Sequence, residues 1–420
     1  MQSQEQRKPG KAPALMPLEA ALSRALALAD AVPETEPVPL AEAHGRITAA
    51  AVASPWPLPM FDNSAMDGYA VRTAECEGQP PFRLRVAGRM AAGDACIPPP
   101  AGAGVAIRIL TGAMVPPGFD AVVMQEDCRR EGDAVLVGRR PPPRNNIRQA
   151  GEDLAKGGEI VAAGTLLDAR HVALLAAAGV ASVVVRRTVQ VALFSTGTEL
   201  RQPGEAVSPG QIYDSNGAML RALLCRPFIR LHDLGAVGDD PARLGRTLRQ
   251  AAGVADVIVT TGGVSVGDED HMHRLIVEAG GTLDVMRVAI KPGKPVTVGR
   301  LGQALYLGLP GNPVSAFVTF ALLGRALIGR RAGQAVRPPA AQPAVCEDEV
   351  TRSPGRQEYL PVRIAGVTDA GLPRVGMLTP AGSAMLARLA GADGLVVVPT
   401  QQANIRSGEQ VAFIPIREML

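Results

Sequence analysis

Between residues 188 and 323 apolar strands alternate with loops rich in glycine and small hydroxyl residues and with helical segments, without a tandem repeat of sequence. "TVQVALF" runs into "STGTEL", "ADVIVTT" (255–261) into "GGVSVGDED", and "ALYLGL" into "PGNPVSAFVTFALL". A helix at 216–225 and a strand "FIRLHDLGAV" follow the first loop, and "DDP" opens a helix through 252. Asp240 is placed to cap that helix and Pro241 to occupy its first turn. Strands alternating with helices at this spacing predict a parallel, doubly wound α/β sheet. Ligands bind such sheets at the carboxyl ends of the strands, so these loops are where chemistry is expected.

The flanks read differently. Residues 15–32 carry apolar side chains at helical spacing (Leu18, Ala21, Leu22, Ala25, Leu26, Ala29) and predict an amphipathic helix. Short strands separated by Gly/Pro turns follow at 81–88, 104–110, 120–125 and 133–138, closed by the Pro-rich "RRPPPRNNIRQAGED". A helix is expected near 168–178. Beyond 343 the tail returns to short strands ("YLPVRIAG", "LVVVP", "QVAFIPI"), the pattern of a small all-β domain. The chain is therefore an α/β multidomain protein. Its net charge of +3, without a dense basic run, argues against nucleic acid as a partner. The longest apolar stretch, 172–185, falls short of the roughly 20 residues a bilayer span needs. Residues 1–14 are polar, unlike a secretory signal, and read as a disordered tail. Five scattered cysteines, without metal-ligand spacing, fit a reducing cytoplasm.

The loops after the strands are equipped for anions. Gly262 and Gly263, followed by Ser265, let backbone N–H groups approach a phosphate, although an ordinary glycine turn would look the same. In "LGLPGNPVSAF" Asn312 and Pro313 start a helix, and simple capping explains Asn312 as well as ligand binding does. Lys291 and Lys294 stand out because lysine occurs five times in the chain, against 38 arginines. A point charge in place of a guanidinium fork is then a choice, not a background habit. Glu199, Asp239 and Asp270 follow successive strands or loops. Taken singly each is a cap or a solvated residue, but carboxylates beside phosphate sites also hold Mg²⁺.

A further stretch, "PMFDNSAMDGYAVR" (59–72), gathers Asn and aromatic residues in a chain that has 3% aromatics. With "RILTGAMVP", "NIRQAGED", "VALFSTGTEL", "IYDSN", "GGVSVGDEDH", "IKPGKP" and "GLPGNPVSAF", it resembles the MoeA family of molybdopterin molybdenumtransferases, shared with the C-terminal half of gephyrin. The matches run in family order across roughly residues 15–420. The resemblance implies an elongated N-terminal α+β region (15–54 plus 149–186), an inserted β-rich domain (55–148), a molybdopterin-binding α/β domain (187–335) and a C-terminal β-barrel (336–420). It implies a homodimer whose cleft is shared between subunits. The implied reaction is Mg²⁺-dependent insertion of molybdate into adenylylated molybdopterin with release of AMP. An adenylyltransferase-like activity or a non-catalytic scaffold are the alternatives. Implied partners are a molybdopterin adenylyltransferase and downstream cofactor acceptors.

By the same resemblance, Asp67 and Thr111 match cleft residues of the inserted domain, and Arg148 and Asp153 those of its hinge. Glu199, Asp239 and Asp270 match the acidic set, with Asp239 and Asp270 the metal candidates. Lys291, Lys294, Pro310 and Pro313 match the anion loops. The molybdate pocket maps onto Lys294, Ser315, Arg356 and Ser383. Gln149 departs from the pattern, standing where a second basic residue often follows Arg148.

Overall fold

The computed structural model describes residues 15–95, 102–263 and 271–420. The tail at 1–14, Ser265 and Asp270 lie outside the described residues.

Four apolar strands build the centre. Ile229–Val237, Val189–Thr196, Val257–Thr261 and Ala304–Leu309 lie side by side in that order, all parallel. Val189, Val191, Val257 and Leu307 are fully buried, as strands covered on both faces require. One face packs on the helix Ser215–Leu224 and the segment Pro313–Arg331. The other packs on Pro241–Val254 and His271–Glu278. This is the doubly wound arrangement expected. The second strand in chain order lies on one side of the first and the third on the other, so the order reverses beside Val189–Thr196. That reversal opens a crevice at the ends of Thr196 and Thr261.

Two further strands, Pro295–Leu301 and Thr282–Arg287, extend the sheet antiparallel and make it mixed. Gly302 and Gln303 close a two-residue hairpin between Leu301 and Ala304, with Gly302 at φ +59°. Asp240 caps its helix as expected, accepting the Arg243 N–H at 3.0 Å with Pro241 behind it. The long segment from Pro313 to Arg331 is apolar enough to cross a membrane by length and composition, but 83% of it is buried inside the fold.

The N-terminal helix is shorter than its periodicity suggested, Leu18–Leu26. Tertiary contacts override the pattern beyond it: Val32 N–H donates to the Arg331 carbonyl at 2.8 Å, pulling the chain straight while Ala29 stays buried. Thr35–Pro39 then pairs with Ser182–Arg186, and Val52–Ala53 with Glu159–Val161, so the region closes across a long chain separation.

Between those halves sits a six-stranded sheet ordered Ala121–Met124, Gly68–Val71, Val105–Ile109, Phe82–Met90, Ala134–Val137 and Cys128–Glu131. Gly68 has no room for a side chain: a Cβ there would stand 1.9 Å from the Val123 carbonyl oxygen. At the C-terminus, Gln357–Val367, Pro373–Met377, Gln342–Cys346, Gln410–Pro415 and Gly394–Val398 pair in turn, and the last closes back on the first as a five-stranded barrel. Ile290–Lys291 adds a parallel rung to Gln357–Glu358 and ties the α/β unit to the barrel.

Candidate active site

A cleft of about 1510 Å³ opens where the parallel strands end. It exceeds the roughly 300–1,000 Å³ of an ordinary small-molecule pocket. Its walls are the loops after Thr196, Thr261 and Leu309, the Lys291–Pro295 turn, and barrel residues Arg356 and Ser383.

The loop backbones are shaped by crowding. Gly262 adopts φ +88°, and a Cβ there would meet the Thr196 carbonyl oxygen at 2.4 Å. Gly263 follows at φ +64°. Left-handed backbone beside another main chain is glycine's territory. Asn216 locks the loops together. Its amide nitrogen donates to Thr261 Oγ1 at 2.8 Å and to the Gly311 carbonyl at 2.7 Å, while Thr261 Oγ1 donates to the Pro310 carbonyl at 2.9 Å. A carbonyl can only accept, so the atom facing Gly311 is the nitrogen, which leaves Asn216 Oδ1 buried without a protein donor.

Charge is distributed unevenly. Lys291 pairs with Glu358 at 2.7 Å, and Arg352 approaches the same carboxylate at 3.2 Å. Lys294 and Arg356 have no ion pair among the described residues. Val314 N–H donates to the Ser383 carbonyl at 3.0 Å, which fastens the barrel loop against the helix that carries Ser315. Across the cleft, Asp239 Oδ2 accepts both the N–H and the hydroxyl of Thr198 at 2.8 Å, leaving Oδ1 without a protein donor among the described residues. No group of three His, Cys, Asp or Glu side chains gathers at one point among the described residues. One carboxylate oxygen without a protein donor among the described residues, beside glycine-rich loops, nonetheless suits Mg²⁺, which takes few protein ligands and completes its shell with water and phosphate.

Three sequence-family patterns match end to end: the MoeA N-terminal region (domain I and II) over 16–179, a probable molybdopterin binding domain over 192–330, and the MoeA C-terminal region (domain IV) over 343–416. A molybdopterin molybdenumtransferase of Haemophilus influenzae is 35% identical over 408 residues, 97% of this chain and 100% of that one. The chain belongs to the MoeA family. The Bacillus subtilis molybdopterin molybdenumtransferase is 32% identical, covering 92% of this chain and 90% of its own. A solved structure described as the molybdopterin biosynthesis MoeA protein of Pyrococcus horikoshii superposes with a TM-score of 0.80 at 29% identity, covering 96% of this chain and 100% of that one.

In this MoeA-family enzyme the cleft gathers Glu199, Asp239, Gly262, Gly263, Lys291, Lys294, Pro310, Asn312, Pro313, Ser315, Arg356 and Ser383. Asn312 holds the N-cap position, yet its side chain makes no capping hydrogen bond and stays available to the cleft. Lys291 lies in the cleft with its ammonium already paired to Glu358.

Asp67, Thr111, Arg148 and Asp153 do not line the cleft. Asp67 and Thr111 sit beside the strands Gly68–Val71 and Val105–Ile109 of the six-stranded sheet, and Arg148 and Asp153 on the segment that follows that sheet. Asp67 Oδ1 accepts the Thr111 N–H at 2.7 Å and its hydroxyl at 2.8 Å. Those bonds, backbone first, with help from Arg108, hold its carboxyl below the ordinary value. Arg148 pairs with Asn63, and Asp153 N–H donates to the Leu58 carbonyl at 3.0 Å. Sequence reasoning missed Asn216, Tyr213 and Glu358 as cleft residues. Asparagine occurs six times in the chain, a scarcity that could have singled out Asn216, whereas nothing near Glu358 marked it.

Proposed function

We propose that this chain inserts molybdate into the dithiolene of adenylylated molybdopterin and releases AMP, with the cleft as the reaction chamber. The MoeA relatives named molybdopterin molybdenumtransferases make molybdenum cofactor biosynthesis the setting. The observation that carries the reading is the meeting of Lys294 and Ser315 from the α/β unit with Arg356 and Ser383 from the barrel in one cleft. Two cations without carboxylate partners among the described residues, together with two hydroxyls, suit a tetrahedral oxyanion, since charge-assisted hydrogen bonds are the strong ones.

The other residues divide the remaining work. N–H groups at Gly262 and Gly263, with the Asn312 side chain, bind phosphate oxygens and hold the anhydride in line. Pro310 and Pro313 stiffen the loop that carries Asn312. Glu199 and Asp239 face this region and orient water. Asp239, with Asp270 as the second candidate, would hold Mg²⁺, which supplies charge neutralisation at the anhydride when bound. The Asp67, Thr111, Arg148 and Asp153 group completes the cleft of a second copy in a homodimer working in the cytoplasm. An adenylyltransferase supplies its substrate, and cofactor acceptors take its product.

Replacing Lys294 or Arg356 by Ala tests the oxyanion assignment. Each change should raise the molybdate concentration needed for half-maximal turnover about tenfold or more while leaving the requirement for adenylylated molybdopterin nearly unchanged. An equal loss for both substrates would contradict the assignment.

A further inference from the structure

We infer that Tyr213 is a stacking platform for a planar nitrogen heterocycle, the pterin or the adenine of the substrate. The inference rests on the proposed function and adds a binding residue to it. The chain has four tyrosines. Tyr69, Tyr306 and Tyr359 are core residues, at most 7% exposed, whereas Tyr213 lines the cleft at 46% exposure. Around it the wall mixes Gly197, Thr198 and Glu199 with Leu200 and Ile212, and Tyr359, which also borders the cleft, is 2% exposed, so Tyr213 is the tyrosine with ring surface to offer.

The ring is also held in place. Ile212–Tyr213 forms a two-residue parallel ladder with Leu200–Arg201. Asp214 N–H donates to the Arg201 carbonyl at 2.9 Å, and the buried Asp214 carboxylate caps the following helix through Gly217 N–H at 2.8 Å. At the far end of the side chain, the phenol donates to the Glu205 carbonyl at 3.0 Å. Glu205 is itself fixed, its carboxylate accepting Gln202 N–H at 2.7 Å. With the hydroxyl engaged and the backbone pinned, what the residue offers a ligand is its face. A ring ordered before binding loses little further freedom on stacking. Stacking tolerates any heterocycle, since each has a π-face. Ile212 N–H donates to the Glu199 carbonyl at 2.9 Å, so the platform stands on the acidic side of the cleft.

Calorimetric titration of the full chain with AMP alone, with molybdopterin alone and with molybdate alone tests this. Tyr213→Ala should weaken one of the two heterocyclic ligands about tenfold and leave molybdate unchanged. Tyr213→Trp should restore the affinity, and Tyr213→Phe should retain most of it. Loss confined to AMP identifies adenine as the stacked ring, and loss confined to molybdopterin identifies the pterin. Unaltered affinity of Tyr213→Ala for both, or an equal loss that includes molybdate, overturns the platform. Wild-type protein that binds neither AMP nor molybdopterin overturns the functional reading beneath it, a result distinct from failure of Tyr213 alone.

Discussion

The carboxylate of Asp67 receives two donors from one residue, and that asymmetry has a measurable consequence. Its folded-state pKa lies below the ordinary 3.8, so the Asp67–Thr111 contact is fully present above that value and is lost as pH falls through the folded pKa. Thr111→Val removes the hydroxyl donor and keeps the backbone one. A carbon-13 NMR titration of the side-chain carboxyl should then show the Asp67 midpoint moving up toward 3.8. A midpoint that stays put would mean the hydroxyl contributes nothing. Glu358 offers a second residue-scale contrast. Arg352 and Glu358 are 5% and 7% exposed at the side chain, whereas Lys291 is 50% exposed. Glu358→Gln therefore strands a buried guanidinium and should cost roughly 3 kcal/mol in denaturant unfolding. Lys291→Met leaves Glu358 paired with Arg352 and should cost less than about 1 kcal/mol. Equal costs would show that the buried half of the triad is not the dominant one.

At the scale of elements, local signals were the readable ones. Asp240 and Pro241 announced a helix start, and the structure has the cap bond to Arg243 N–H. Asp240→Ala should lower the stability of the α/β unit by about 1 kcal/mol in urea unfolding. Molybdate-dependent turnover should remain, because Asp240 does not line the cleft. The parallel strands were legible for the same reason, since burial on both faces leaves unbroken apolar runs. Several other pairings, near and distant in the chain, were not. Pro295–Leu301 begins right after the lysine turn, and its place as an antiparallel neighbour of Ala304–Leu309 depends on a Gly302–Gln303 hairpin inside a run without strong alternation. Gln342–Cys346 and Pro373–Met377 become strands because the barrel closes around them, and no local periodicity announces closure. Within the site, the glycine loops and lysines could be found by composition. Glu358 could not, because its role arises from a rung between Lys291 and Glu358 on separate domains.

At the scale of the whole molecule, the cleft is a product of two units. The α/β sheet brings the glycine loops and Lys294, the barrel brings Arg356 and Ser383, and the Ile290–Lys291 rung with the Val314–Ser383 hydrogen bond joins them. Asp67 and Thr111 lie outside that cleft, at the ends of Gly68–Val71 and Val105–Ile109, which motivates the proposal of a cleft shared in a dimer. Mixing Asp67→Asn protein with Asp239→Asn protein should recover part of the activity that each lacks alone, because a mixed pair restores one intact site. No recovery in demonstrated heterodimers would exclude the shared site. The most direct test of the account is AMP release from adenylylated molybdopterin by the purified chain with Mg²⁺, followed with and without molybdate. Release that depends on molybdate is the predicted result. Tight binding of the adenylate with no release at any molybdate concentration would contradict it.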